Sequence, residues 1–548
     1  MHYYLSRKQA QTIDRYTQEV IGIPSLVLME RAALKLAEAI RELCESMPSF
    51  DRRRDRILAV AESGNNGGDA LACARILKGM GYECHIFEAG GLSRKSPSFE
   101  TQERIAKNSG VRFAGEELDR SDTDGLVSFF GGYRILIDGL FGIGLNRPVE
   151  GLHLSLIAAM NRSAEEAGCV IVGCDIPSGI CSDTGHILGA AVKCSLTVSF
   201  QYVKFGMLFA EGRECSGRIL CADIGLFAPD DAAALSAALS PAGDAFLFHE
   251  YGENDLREHL PEKKPDSNKG NGGKVLIVAG SEDIYGALDL CAEACFRTGA
   301  GLVKVVSAAK NRDLLMSRLP EAMFLSRDGE ADDPLFAENY KKAIAWADVI
   351  LIGPGLGTDE TAGSLLNGLI ENCRSGQSIV MDADALNLIS ARGPKDIFRR
   401  IREKLGDLRC VITPHMAEMK RLLGETVKMA GLKDRRVEYA ADFSASHGLI
   451  CILKDARTIV TGPRPEGPLL PVYLNTAGNA GMAKGGSGDV LAGITAGLLA
   501  QAGPEAKDLF GICCSSVNLH ARAGDKAGAL LGSSQMLARD IIRHISFE

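Results

Sequence analysis

Two α/β domains, each built on a mainly parallel sheet, are what this sequence predicts, on three observations. The chain has 548 residues, whereas a single domain usually has about 100 to 200. Strand-like runs alternate with helical patterns along its length. These runs are continuously apolar rather than alternating, as in strands covered on both faces by helices. A composition of 46% hydrophobic and 24% charged residues is that of a folded chain with sizeable cores.

Taken in order, Pro24 and Ser25 open a helix that carries Leu26, Met29, Ala33, Leu36, Ala37 and Ile40 along one face. The basic run Arg52 to Arg56 reads as a solvated loop. Strands follow at 57–61 (ILAVA), 134–138 (RILID) and 169–175 (CVIVGCD), and in the second half at 274–280 (KVLIVAG), 349–353 (VILIG) and 378–384 (SIVMDAD). Between the halves, Pro, Asp, Ala and Ser replace the strand pattern from Phe227 to Asp244. The expected division is a domain at 1–228, a linker at 229–245 and a domain at 246–548. No short fixed-period repeat is visible.

The N-terminus turns polar before a signal-peptide core can form, and the longest apolar candidate, Val490 to Ala500, is short and glycine-interrupted. A soluble cytoplasmic protein is therefore expected. The 16 cysteines are irregularly spaced without C-x-x-C, which reads as reduced core residues, the vicinal Cys513 and Cys514 included. A net charge of −9 opposes binding to phosphate backbones or anionic lipid.

The first of these strands runs into Gly64-Asn65-Asn66-Gly67-Gly68-Asp69-Ala70 and then a helical stretch. Glycines at such a turn let the backbone approach a ligand, and free N–H groups at the helix start favour an anion such as a pyrophosphate. The loop has neither the Lys-Ser/Thr of a P-loop nor a G-x-G-x-x-G fingerprint, which weighs against a conventional NTPase or dehydrogenase. Asp138 to Pro148 (DGLFGIGLNRP) and Asp175 to Gly179 (DIPSG) follow two further strands. Ligands bind outside the carboxyl ends of strands in open α/β sheets, so the three loops should converge on one crevice. Oxygens of Asn66, Asp138 and Ser178 suit a hard monovalent cation, although turn capping accounts for each side chain taken alone.

GNNGGD, DGLFGIGL and DIPSG, followed by SFQYVKFG and ADIGLF, resemble the NAD(P)HX epimerase family over residues 1 to 228. The resemblance implies a Rossmann-like three-layer domain with a potassium ion at Asn66, Asp138 and Ser178. It also implies that hydrated NADH or NADPH is bound by Asn65, Asn66, Gly67, Gly68 and Asp69, by Gly142, Ile143, Gly144, Leu145, Asn146, Arg147 and Pro148, and by Asp175. Asp175 is expected to handle protons as the stereocentre at nicotinamide carbon 6 inverts, serving as base or as counter-charge. Ala70 and Gly139 stand where the family usually has Gly and Ala.

The second half carries Asn268 to Lys274 (NKGNGGK), Gly353 to Gly357 (GPGLG), Asp382 to Asn387 (DADALN) and Thr413 to Glu418 (TPHMAE), all beside strands. Asn475 to Asp489 (NTAGNAGMAKGGSGD) leads into a helical run. Gly485, Gly486 and Gly488 leave N–H groups free to hold a phosphoryl group. Asp489 stands where a general base takes the proton of a hydroxyl as its oxygen attacks phosphorus. Helix capping is the plain alternative, but G-G-S-G-D before a long small-residue helix favours catalysis. Lys454 to Thr458 (KDART) joins two strands and is placed to embrace a nucleotide's phosphate and ribose. No cluster has zinc-ligand spacing, so a metal here would be magnesium accompanying phosphates.

NKGNGG, AGS, YGA, PGLG, DADALN, TPH-x-x-EM, GGSGDVLAG and LHARAGD together resemble the ADP-dependent NAD(P)HX dehydratases from about Phe246 onward. The resemblance implies a ribokinase-like α/β domain in which Ala287, Gly357, His415 and Asp489 contact the hydrated nucleotide. Lys454, Asp455, Ala456, Arg457, Thr458 and Gly488 would contact the adenine nucleotide, Asp455 replacing the family's usual glycine. ADP is the implied co-substrate, giving AMP and phosphate. Phosphorylation converts hydroxide, a poor leaving group, into phosphate, which the ring nitrogen's lone pair can expel. The pairing implies a repair enzyme, expected as a homo-oligomer with no nucleic-acid or membrane partner. Two alternatives remain open: a C-terminal kinase of a vitamin-precursor alcohol, and an N-terminal half that binds a nucleotide without catalysis.

Overall fold

The computed structural model describes residues 2–90, 94–229, 232–252, 255, 258–259, 266, 268–327, 333–463 and 469–547. It divides into two compact units, the first built on Tyr3–Leu247 and the second running from Phe248 onward.

The main sheet of the first unit has seven strands: β1 Arg56–Ala61, β2 Glu83–Glu88, β3 Arg112–Phe113, β4 Ile135–Gly139, β5 Val170–Cys174, β6 Leu196–Phe200 and β7 Arg218–Ala222. They pair entirely in parallel, in the order β3-β2-β1-β4-β5-β6-β7. The order reverses between β1 and β4, a switch point at which loops diverge and leave a crevice. Side chains along β1 alternate between two cores. Ile57, Ala59 and Ala61 meet Leu71, Ala74 and Leu77, whereas Leu58 and Val60 meet Leu126, Phe130, Leu156 and Met160. The result is the expected three-layer, Rossmann-like arrangement.

Four helices shape the crevice: α1 Arg7–Tyr16, α2 Ser25–Ser46, α3 Asn65–Gly79 and α4 Leu152–Ala167. Met29, Ala33, Leu36, Ala37 and Ile40 of α2 are buried as expected, but Leu26 is 39% exposed. Ser25, Leu28, Met29 and Ala32 instead border the crevice, so the buried stripe of α2 is offset where its first turns leave the sheet.

The 229–245 stretch, expected as a linker, contains the helix Ala232–Leu239; its residues 230 and 231 lie outside the described residues. Leu235 and Leu239 are fully buried with Leu5, Ala10 and Ile13, so this helix packs into the first unit. The i,i+4 leucine pair that anchors it is masked in sequence by the surrounding alanines.

In the second unit run β8 Lys274–Val278, β9 Leu302–Ala308, β10 Met323–Arg327, β11 Val349–Ile352, β12 Ser378–Met381, β13 Cys410–Ile412, β14 Ile450–Leu453, β15 Ile459–Thr461 and β16 Leu470–Leu474. Their order is β10-β9-β8-β11-β12-β13-β14-β15-β16, parallel up to β14 and antiparallel from β14 to β16. Helices α5 Gly286–Thr298, α6 Met416–Leu423, α7 Ser487–Ala502 and α8 Leu509–Leu531 complete the parts used below. Helix α7 is apolar all round because it is buried all round. Gly493 and Gly497 let it seat on α5: an added Cβ would stand 2.3 Å from the Cys291 carbonyl oxygen and 2.9 Å from that of Cys295. All sixteen cysteines are free thiols, and all but Cys181 and Cys221 are buried. Among the described residues no helix is long and apolar enough to cross a membrane.

Candidate active sites

Beyond the carboxyl ends of β1, β4, β5 and β6 lies a cleft of about 950 Å³. Asn65, Asn66, Asp69, the whole run Gly142 to Pro148, and Asp175 line it, as the sequence led us to expect. Gly67 and Gly68 do not; they lie beneath, where a Cβ on Gly67 would stand 1.7 Å from the Glu62 carbonyl oxygen. Asp138 and Ser178 are fully buried under the floor. The Ser178 N–H donates to Asp138 Oδ2 at 2.8 Å, its hydroxyl donates to Oδ1 at 2.6 Å, and the Phe141 N–H donates to Ser178 Oγ at 2.8 Å. Burial outweighs these hydrogen bonds and pushes the Asp138 carboxyl up to about 6. Asn66 Nδ2 is buried without a partner among the described residues.

Acidic groups crowd the far side. Asp175 holds a left-handed backbone, φ 66°, unusual outside glycine and of the kind found at functional sites. Its carboxylate accepts from the Phe200 N–H at 2.9 Å and from the Lys204 ammonium, itself only 3% exposed. Asp69 has no hydrogen-bond or ion-pair partner among the described residues; burial, then the charges of Asp175 and Asp14, hold its carboxyl well above the usual range. Burial likewise raises Asp14, which faces the same cleft from α1. Opposite stand Glu62 and His153, 2.6 Å apart. Sequence reasoning named neither Lys204, Asp14, Glu62 nor His153 for a role. SFQYVKFG contains Lys204, whereas nothing local marks the other three.

In the second unit Gly488 and His415, among the expected residues, lie beside Lys454. Its ammonium lies 2.6 Å from Asp382 Oδ1, and Asp382 is 1% exposed. Burial works against the charged lysine, but Asp382, Glu418 and Asp489 outweigh it and raise its pKa. An added Cβ on Gly488 would meet Lys454 Nζ at 3.2 Å. The Lys454 N–H donates to the Pro414 carbonyl at 2.8 Å, which sets His415 beside it. His415 caps α6 through Nδ1, accepting from the Ala417 and Glu418 N–H groups at 3.1 and 3.2 Å. The Gly357 N–H donates to Asp384 Oδ2 at 2.9 Å, and Ala287 abuts Gly355.

Asp489 enters in the first turn of α7, just after Gly486 at φ 95°. Its carboxylate has no hydrogen-bond partner among the described residues, and burial, then the neighbouring Asp382, raise it to about 7. Under the same turn His520, from LHARAGD, is pushed down to about 4 by burial, which holds it neutral. Asp455 and Ala456 are exposed, and the Asp455 carboxylate is engaged by Arg436 at 2.7 Å. Asp382, Asp384 and Glu418 were not singled out as site residues, although DADALN and TPH-x-x-EM contain them.

A family model described as NAD(P)H-hydrate dehydratase matches residues 275–546, and one described as YjeF-related protein N-terminus matches residues 25–206. The chain is similar to the bifunctional NAD(P)H-hydrate repair enzyme Nnr of Moorella thermoacetica, 33% identical over 560 residues, covering 100% of this chain and 96% of the relative. The enzyme of the same description from Escherichia coli is 31% identical over 529 residues, covering 96% and 90%. Among solved structures, an ADP/ATP-dependent NAD(P)H-hydrate dehydratase from Bacillus subtilis is 26% identical with a TM-score of 0.44, covering 54% of this chain and 95% of that one. The extent of the match to full-length relatives shows that this chain belongs to the family of bifunctional NAD(P)H-hydrate repair enzymes.

Proposed function

We propose that the N-terminal cleft interconverts the R and S epimers of hydrated NADH and NADPH, and that the C-terminal site dehydrates the S epimer with ADP, releasing AMP and phosphate. The observation that carries the second activity is Asp489: a carboxylate with no hydrogen-bond partner among the described residues, at the head of α7 and with a pKa near 7. Such a group can take the proton of the C6 hydroxyl as that oxygen attacks the β-phosphorus of ADP. N–H groups of the Gly485 to Gly488 turn receive the phosphoryl oxygens, and the Lys454 ammonium, fixed by Asp382, offsets their charge. Expulsion of phosphate by the ring-nitrogen lone pair restores the dihydropyridine. Asp384 offers a hard oxygen donor that suits magnesium accompanying ADP. That ion would neutralise phosphate charge.

In the N-terminal cleft, the Asp138 carboxylate, the Ser178 hydroxyl and the side-chain oxygen of Asn66 make a set of oxygen donors, the first two joined at 2.6 Å. They fit a potassium ion, which would neutralise Asp138 and fix the Gly142 to Pro148 loop. Asp175, paired with Lys204, serves as counter-charge to a cationic ring. The helix start at Asn65 and Asn66 receives the pyrophosphate.

Incubating the full chain with an R/S mixture of hydrated NADH and ADP, and following NADH absorbance, tests both assignments. Complete recovery is expected. Recovery that stops at the S fraction refutes the epimerase, and no recovery refutes the dehydratase.

A further inference from the structure

One ionisable pair in the N-terminal cleft has no part in the chemistry above. Glu62 follows directly on β1 and is 2% exposed, while His153, the second residue of α4, is 9% exposed. His153 Nε2 lies 2.6 Å from Glu62 Oε2. The other Glu62 oxygen accepts from the Ser63 N–H at 2.8 Å and from its hydroxyl at 2.9 Å. Burial works to raise the Glu62 carboxyl, but its bonds to His153 and Ser63 outweigh this and hold it below the usual range. The imidazole rests on the Phe141 ring, with centroids 4.8 Å apart. With Nε2 engaged, Nδ1 makes no hydrogen bond among the described residues, on a ring that borders the cleft. A buried carboxylate that orients an imidazole and leaves its second nitrogen toward substrate is an arrangement suited to proton transfer.

The sheet sets this pair against Asp69. Helix α3, which carries Asp69, packs through Leu71, Ala74 and Leu77 onto the face of β1 formed by Ile57, Ala59 and Ala61. Helix α4, which carries His153, packs through Leu156, Ile157 and Met160 onto the opposite face, formed by Leu58 and Val60. Asp69 and His153 therefore enter the same cleft from opposite sides of the sheet. Inverting a carbon that bears a hydroxyl calls for that two-sidedness, because the oxygen departs from one face and returns on the other.

We infer that His153, oriented by Glu62, is the acid–base partner of Asp69 in epimerisation, one group serving each face of the hydrated ring. The inference rests on the epimerase reading of the cleft. One group gives a proton to the C6 hydroxyl; the C6–O bond breaks with its electron pair on oxygen, which leaves as water, while the N1 lone pair forms the C6=N1 bond. Water on the opposite face then forms the new C6–O bond, the C6=N1 pair returns to N1, and the other group takes the proton. One water leaves, one enters, and no electron is gained or lost. The reverse reaction exchanges the two roles. His153 is thus a catalytic residue, and Glu62 a positioning residue acting through it.

The test uses the full chain, isolated R and S epimers of hydrated NADH, ADP and ¹⁸O-labelled water. His153→Phe keeps a ring on Phe141 and removes the nitrogens; it should lower kcat for R-to-S conversion about 10²-fold, with KM nearly unchanged. Glu62→Gln should lower kcat less and displace one limb of the epimerisation pH profile. Both variants should dehydrate the S epimer at the wild-type rate, and the wild-type chain should place solvent oxygen on C6 as it inverts. Wild-type epimerisation by His153→Phe, or inversion without solvent oxygen, overturns the inference and leaves the epimerase reading intact. Failure of the wild-type chain to convert the R epimer faster than buffer overturns that reading, and the inference with it. Should His153→Phe also lose dehydration of the S epimer through misfolding, His153→Gln decides, because it keeps a donor toward Glu62 but cannot take a proton. Lost kcat supports the inference, and a wild-type rate overturns it.

Discussion

Replacing Asp489 by Asn should inactivate the dehydratase and, in the same step, stabilise the second unit. Burial, and then Asp382, raise the Asp489 carboxyl from 3.8 to about 7, against the pull of Lys454. The folded chain therefore binds this proton more tightly than the unfolded chain does. Stability is undiminished below about pH 4, falls as pH rises through about 7, and stays lower above it. A difference of that size corresponds to about 4 kcal/mol, and solvent screening of a partly exposed side chain leaves roughly half. Asp489→Asn removes the ionisation and should gain about 2 kcal/mol at pH 8, a rise in the melting midpoint of about 4–8 °C. The gain should shrink toward zero near pH 4. Dehydration of the S epimer should fall about 10²–10⁴-fold, and the rising limb of kcat/KM near pH 7 should vanish. Calorimetry at the two pH values and NADH recovery at pH 8 read both effects. Wild-type turnover, or an equal loss of stability at both pH values, would refute the reasoning.

Asp138→Ala should impair epimerisation while dehydration of pure S epimer proceeds normally; equal damage to both reactions would mean misfolding. Lys454→Met leaves the buried Asp382 without its cation, so denaturant unfolding should show a loss of about 3–5 kcal/mol, together with a higher KM for ADP. Unchanged stability would argue that water or another cation replaces the lysine. Gly353→Ala puts a Cβ 1.9 Å from the Asp382 carbonyl oxygen at φ 125°, and soluble expression should collapse; a normal yield and melting point would show that the DADALN loop yields readily.

The sheets were legible because buried parallel strands are apolar without interruption: ILAVA, CVIVGCD and KVLIVAG fall on β1, β5 and β8. The glycine loops were legible for a related reason, since a turn that must approach a ligand or another backbone has few residue choices. Asn65, Asn66, Asp69 and Asp175 accordingly border the cleft. What the sequence concealed were partners distant along the chain. Glu62 and His153 are 91 residues apart, and Asp382 and Lys454 are 72 apart; no local pattern joins them. Leu26 misled because helical spacing identifies a stripe but not where the sheet ends beneath it.

Helix α7 rests on α5 with room at Gly493 and Gly497 for nothing larger than hydrogen. The turn that carries Asp489 is therefore bolted to the frame of its unit and has no slack to take up when a nucleotide arrives. The stretches Glu282 to Ile284 and Asp455 to Ala456, by contrast, are exposed. In the proposed dehydration the carboxylate is the fixed jaw of the vice, and any closing around a substrate would have to come from parts outside this packed frame.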